Sequence, residues 1–276
     1  MKLADLLTWS AHLAGCDEVP ADSQVYVEAD RDVRRVLFGI DIDGTELLWA
    51  QREGYDAVIA HHPAGEHARM DFAKVVHRQV DMMVAEGIDR TVAEEAVASR
   101  LDRIRRADHM GNWNRIVDTA RLIGMPFCNV HLACDIIGRQ EIVDLLRARA
   151  GESTRVGDVI EWLLEFPEME AALSRPETWI GDPSKPLGRW VVAMAGGTNG
   201  GYPVFNEYYK AGVDTILAMH IPEDDIHRLR AAAPPNANLL ITGHMATDSI
   251  GINKVIDGME DQGISVTRTS GIIAGR

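Results

Sequence analysis

Val33–Pro63, VRRVLFGIDIDGTELLWAQREGYDAVIAHHP, carries the clearest structural signal in the chain. Residues 33–42 form an apolar run that ends in acidic residues and reads as a buried strand. Asp43 then offers a side-chain cap, and Glu46, three residues on, completes a capping-box pattern. The helix so begun runs through Leu47, Leu48 and Ala50 and stops at Gly54, a residue suited to the left-handed conformation that ends helices. A second aliphatic strand, DAVIA at 56–60, follows and leads straight into His61-His62-Pro63. A strand, a helix and a strand at this spacing predict a right-handed crossover, so the sheet is at least partly parallel.

On the C-terminal side, residues 66–125 read as mostly helical, with Phe72, Val75, Val76, Val80 and Met83 at helical spacing. A helix ends at Gly124, and Pro126 opens a strand, PFCNVHLA. Ile142–Ala150 and Val159–Phe166 are helical, and 167–188 is a polar, proline-rich junction. The second half repeats the theme. A strand spans Arg189–Ala195, the loop AGGTNGG follows at 195–201, and a helix runs through Tyr209. Strands are expected at Asp214–Met219 and Asn238–Thr242, a helix from near Thr247, and a last strand at Ile264–Arg268. The predicted architecture is α/β, two similar lobes around a shared cleft. The first lobe is 1–136 with a helical insertion at about 66–125; a helical connection covers 137–188, and the second lobe is 189–276.

Composition sets the class. The 276 residues are 46% hydrophobic and 25% charged, as in a globular protein with a real core. No apolar run reaches the roughly 18 residues of a membrane-spanning helix. The opening MKLADLLTWSAHLAG is too polar and acidic for a secretory signal, so a cytoplasmic location is expected. Cys16, Cys128 and Cys134 show no zinc-ribbon spacing and read as reduced thiols. A net charge of −14 repels phosphate backbones, so nucleic acid is not an expected partner, and neither is a membrane.

Three groups of chemically capable residues close apolar strands: His61-His62, His131 with Asp135, and His244 with Asp248. In open α/β sheets that edge is where ligands bind. Taken singly, each has a plain structural reading. His61-His62 fits two half-exposed loop histidines, His131–Asp135 fits a core histidine bonded to a carboxylate, and Asp248 fits a helix cap. Taken together, four histidines and two carboxylates at strand ends of one polarity are a donor set for zinc, manganese or iron. Two carboxylates among them suffice to bridge two cations about 3.5–4 Å apart. Gly197, Thr198, Asn199 and Gly200 lie in a strand-to-helix loop whose amides can hold an anion such as phosphate. That loop lacks the G-x-G-x-x-G spacing and a Walker lysine, and a tight turn that needs glycine explains it equally well. His131 and His220 are the candidate proton shuttles; His220 and His227 flank the acidic segment IPEDDI. No G-x-S-x-G elbow is present.

AVIAHHP (57–63), NVHLACD (129–135) and AGGTNGG (195–201) followed by ITGHMATD (241–248) together resemble the Nif-three-like family, also called GTP cyclohydrolase I type 2 homologs. The resemblance covers somewhat over half of the chain. It implies two α/β lobes with mixed sheets, assembled into ring-like homohexamers, with two divalent metal ions per chain in the cleft. The metal ligands it implies are His61, His62, Asp135, His244 and Asp248, with His131 beside them. It further implies a metal-dependent hydrolase acting on a nucleotide-like or phosphorylated small molecule, or else a metal-handling or interaction protein without catalysis. A nucleotide-binding regulator that uses AGGTNGG alone is a third reading. Three departures stand out. Asp248 occupies a position usually held by Glu, NVHLACD replaces the more usual H-T-N-x-D, and LAMHIPED replaces a T-G-E stretch.

Overall fold

The computed structural model describes residues 1–275. In chain order the elements begin α1 (Leu3–Leu13), β1 (Gln24–Val27), β2 (Arg35–Gly39), α2 (Gly44–Arg52) and β3 (Ala57–Ala60). Five helices follow: α3 (Glu66–Met70), α4 (Phe72–Val76), α5 (Arg78–Ala85), α6 (Arg90–Met110) and α7 (Arg115–Ile123). Then come β4 (Phe127–Asn129), α8 (Leu132–Arg149), α9 (Val156–Leu163), α10 (Pro167–Ala171), β5 (Glu177–Ile180) and β6 (Trp190–Val192). The chain continues through α11 (Gly201–Lys210), β7 (Thr215–Ala218), α12 (Glu223–Ala232), β8 (Asn238–Ile241), α13 (His244–Asp261) and β9 (Ser265–Thr269).

Two compact units share these elements. The first comprises Met1–Val75, Ile104–Gly138 and Asp248–Ala274, and the second Val76–Arg103 and Arg139–Thr247 together with Gly275. Contiguous lobes at 1–136 and 189–276 were expected, with Ile264–Arg268 in the second. The units are instead interleaved along the chain, because β9 pairs with β2 and so belongs to the first sheet. The segment 137–188, expected as a helical connection, also contributes a strand, β5.

The first unit holds a five-stranded sheet in the order β1-β4-β3-β2-β9, parallel except for β1, which runs antiparallel to β4. The expected β2–α2–β3 crossover is present, and so is its capping box between Asp43 and Glu46. Successive side chains of a strand face opposite ways, and the core follows that alternation. Val36, Phe38, Ala57 and Ile59 pack with Leu3 and Leu6 of α1 and Ile252, Val255, Ile256 and Met259 of α13. Leu37, Val58 and Ala60 pack with Leu47 and Ala50 of α2 and Val117 and Ala120 of α7. The result is a three-layer α/β/α unit with both sheet faces covered, the usual condition for parallel strands.

The second unit holds a four-stranded sheet in the order β5-β8-β7-β6; β6, β7 and β8 are parallel, and β5 is antiparallel at the edge. Each unit therefore has a parallel core of strands and one antiparallel edge. No helix among the described residues is long and apolar enough to cross a membrane.

Candidate metal centre

In the first unit three neighbouring parallel strands deliver their carboxyl ends to one place. β2 runs out into Asp41, β3 into His61 and His62, and β4 into His131. The connection to α8 then places Asp135 in that helix's first turn, and α13 brings Asp248.

Each of the three histidines is held by its Nδ1. His61 is fully buried, and its Nδ1 lies 3.0 Å from the Val130 carbonyl oxygen. A carbonyl only accepts, so this nitrogen carries the proton and a neutral ring keeps its Nε2 lone pair free. The His62 Nδ1 is 2.8 Å from Asp41 Oδ1, and the His131 Nδ1 is 2.6 Å from Asp22 Oδ2. Metal-binding histidines are oriented in this way, with an oxygen acceptor on the far nitrogen fixing tautomer and ring plane.

The freed Nε2 atoms meet the carboxylates. His61 Nε2 is 3.3 Å from Asp135 Oδ1 and 3.8 Å from Asp248 Oδ2. His62 Nε2 is 3.7 Å from Asp248 Oδ2, and His131 Nε2 is 3.7 Å from Asp135 Oδ2. The imidazole rings stand 4.8 Å (His61–His131) and 5.1 Å (His61–His62) apart. Two sets of three donors, His61/His62/His131 and His61/Asp135/Asp248, each fit within 4.8 Å. His61 Nε2 and Asp135 Oδ1 are buried and make no hydrogen bond. Buried polar atoms are seldom left so, and a cation between them satisfies both. The residues present thus fit a divalent metal ion.

The electrostatics agree. Burial alone would raise the Asp135 carboxyl, but the neighbouring imidazoles, His131 above all, outweigh it and hold the group at about 2. Burial pulls His131 down, yet Asp135 and Asp22 overcome this and push it up to about 9. For His62, burial dominates and lowers the imidazole in spite of Asp41.

One backbone contact sets the carboxylate spacing. A Cβ on Gly251 would lie 1.9 Å from the Cys134 carbonyl oxygen and 3.0 Å from the Gly138 nitrogen. Helix α13 therefore touches α8 main chain to main chain, three residues after Asp248 and one residue before Asp135.

The second unit supplies the remaining expected residues, again at strand ends. The loop after β6 carries Gly197, Thr198, Asn199 and Gly200; β7 leads to His220, and β8 to Gly243 and His244. The His220 ring lies 4.7 Å from that of His244, and its Nδ1 is 3.2 Å from Asn199 Nδ2. The helix expected from near Thr247 starts earlier, at His244, so Asp248 follows His244 by one helical turn. His227 is not part of this group: it is exposed and pairs with Glu223 on α12.

Sequence reasoning did not single out Asp22, Asp41 or the Val130 carbonyl as histidine anchors. Only Asp41 had a signal, as the acidic end of its strand.

Cys128 and Cys134 are buried, and burial pushes both thiols up, so they stay protonated near neutral pH. Thiolate ligation is not part of this centre. One thiol per chain, Cys16, is expected to react with a thiol-specific reagent in the native protein, and three in denaturant. Rapid labelling of all three in the native state would contradict the packing of β4 and α8.

No family model and no curated protein matches the chain. Solved structures do. A NIF3 superfamily protein from Sphaerobacter thermophilus is 39% identical, with 98% of each chain covered and a TM-score of 0.94. The protein ybgI, of unknown function, is 18% identical over 98% of both chains, with a TM-score of 0.55. A Bacillus cereus protein related to NIF3 is 8% identical, covering 98% of this chain and 96% of its own, with a TM-score of 0.51. The last two likenesses are of fold alone.

Proposed function

Because the chain belongs to the NIF3 superfamily, we propose that it is a metal-dependent hydrolase, acting on a phosphorylated or nucleotide-like small molecule, whose ions are held by the histidine–aspartate cluster. The observation that carries this is the convergence of three anchored imidazoles on two buried carboxylates. His61, His62, Asp135 and Asp248 are the proposed ligands in the first unit, with His244 one turn before Asp248 completing the set. Two ions per chain are proposed on this number of donors. Zinc, iron and manganese all suit imidazole and carboxylate. A bound ion of this kind polarises a substrate oxygen and makes water a stronger acid.

The protein's own groups do the rest. Asp22 fixes His131 with its Nε2 turned toward Asp135, so this imidazole is placed to hold and return a proton. His220, steadied by Asn199 and packed at a tilt against His244, is a second such group. The loop amides from Gly197 to Gly200 are proposed to hold the substrate's phosphate. Assembly into a homohexamer and a cytoplasmic setting belong to the same proposal.

The test is turnover of phosphate esters and nucleotides by protein purified without chelator. Activity that disappears on chelation, returns with one added metal and is absent in Asp135→Asn is the expected result. Equal turnover by stripped protein would overturn the hydrolase reading. Tight metal with no turnover across the panel would favour a non-catalytic metal-binding protein instead.

A further inference from the structure

We infer that the AGGTNGG loop is a site for a phosphate ester, and that Gln79 and Arg100 are positioning residues that hold it in its binding form. This rests on the reading of the substrate as a phosphorylated small molecule. It also gives a role to the helices between β3 and β4, which contribute no proposed metal ligand.

All of the residues concerned lie in the second unit. Gln79, on α5, is 5% exposed, and its Nε2 donates to two loop carbonyls, Gly196 O at 3.0 Å and Thr198 O at 2.7 Å. Arg100, on α6, donates from Nη2 to Thr198 Oγ1 at 2.9 Å. In a trans peptide the N–H of the following residue points opposite to the carbonyl. Drawing these two carbonyls onto Gln79 therefore turns the amides of Gly197 and Asn199 away from it. Neither amide has a hydrogen-bond partner among the described residues. Outward main-chain amides in a turn are a recurrent oxyanion cradle.

The loop is built for this clamp. A Cβ on Gly196 would stand 2.5 Å from Gln79 Cγ, so only glycine lets Gln79 reach. Gly197 has φ +72°, and the non-glycine Ala195 has φ +60°. Two buried acceptors beside the loop have no partner, Gln79 Oε1 and Asn199 Oδ1. Buried acceptors in that condition require a donor. A phosphate ester that also carries a hydroxyl group offers phosphate oxygens to the amides of Gly197 and Asn199 and a donor to Asn199 Oδ1. The start of α11 does not compete for the anion, because the Asp225 carboxylate already stands against Gly201. Asn199 Nδ2 lies 3.2 Å from His220 Nδ1, so the ester is seated next to the proposed proton-carrying histidine.

The experiment is titration calorimetry with inorganic phosphate and with ribose 5-phosphate of the metal-loaded wild type, Gln79→Met and Thr198→Val, and of the metal-depleted His61→Ala. Both compounds are expected to bind the wild type, ribose 5-phosphate more tightly. Gln79→Met, which keeps the side-chain length and removes the amide, is expected to weaken both at least tenfold while metal per chain stays unchanged. Thr198→Val removes the hydroxyl that Arg100 holds and is expected to weaken both severalfold, which keeps the test intact should Gln79→Met fail to fold. His61→Ala is expected to retain binding. Wild-type affinity in a folded, metal-loaded Gln79→Met protein would overturn the clamp. Binding lost in His61→Ala but kept in Gln79→Met would place phosphate on the metal and overturn the loop site. No binding by the wild type would overturn it as well, and would leave the metal centre, judged by metal content, standing.

Discussion

Replacing His61 by alanine is expected to strip the protein of its metal. His61 is completely buried, and its Nε2 belongs to both donor sets in the first unit. Removing even a partner that only orients a ligand costs about 10–100-fold in metal affinity. Losing this shared ligand costs more, because Asp135 and Asp248 then face each other without an imidazole between them. Elemental mass spectrometry should find metal below a tenth of the wild-type content in His61→Ala. Asp22→Asn, which touches only the Nδ1 side of His131, should give a weaker site that reloads at higher metal concentration. Stability follows occupancy: an ion present at about 1,000 times its dissociation constant adds about 4 kcal/mol to the folded state. For units of this size that is a fall in Tm of about 8–16 °C on metal loss. Full metal content in a folded His61→Ala protein would remove this histidine from the centre.

Gly251→Ala is expected to be nearly as damaging, although it adds only one methyl group and removes no proposed ligand. The new Cβ would lie 1.9 Å from the Cys134 carbonyl oxygen and 2.7 Å from its carbon, both main-chain atoms that no rotamer change can move aside. Helix α13 must retreat from α8 by more than about 1 Å, at a cost of about 3 kcal/mol. Metal geometry tolerates only about 0.2 Å, so moving Asp248 away from Asp135 should also lower metal content. The control is Gly151→Ala, where nothing lies within 4 Å and the change should stay within about 0.5 kcal/mol. Chemical denaturation and metal analysis of the two variants check this together. A Gly251→Ala protein as stable and as metal-rich as wild type would show that the helix contact does not set the carboxylate spacing.

The sequence made plain those parts of the fold whose cause is local. β2, α2 and β3 were legible because an apolar run, a capping box and a second apolar run each carry their own signature. The ends of the strands were legible for the same reason, and they led to His61 and His62 and, in the helices that follow, to the proposed ligands Asp135 and Asp248. β1 and β5 were not, since each is a four-residue edge strand only partly buried and paired through an irregular register. Their pattern of apolar and polar residues is too short to stand out from a loop. The place of β9 was missed because pairing with β2 is a long-range choice that Ser265–Thr269 does not advertise. The anchors of the histidines divide in the same way. A main-chain carbonyl such as that of Val130 has no sequence signature, and Asp22 meets His131 only through folding. The Gln79 clamp was invisible for the same reason, although the loop it holds was conspicuous.

The position of β9 beside β2 has a consequence for synthesis. The chain leaves the ribosome from its N-terminus, and His61, His62, His131 and Asp135 emerge well before Asp248 and the last strand. Until then β2 is an open edge, with Val36, Leu37 and Phe38, all buried in the finished sheet, unprotected. Exposed apolar edges invite pairing with other chains. A nascent chain paused after β8 thus holds most of the proposed donors but neither Asp248 nor the strand that covers β2. On the proposed ligand set, metal delivered at that stage would meet an incomplete cage, which closes only once α13 and β9 have joined the first unit.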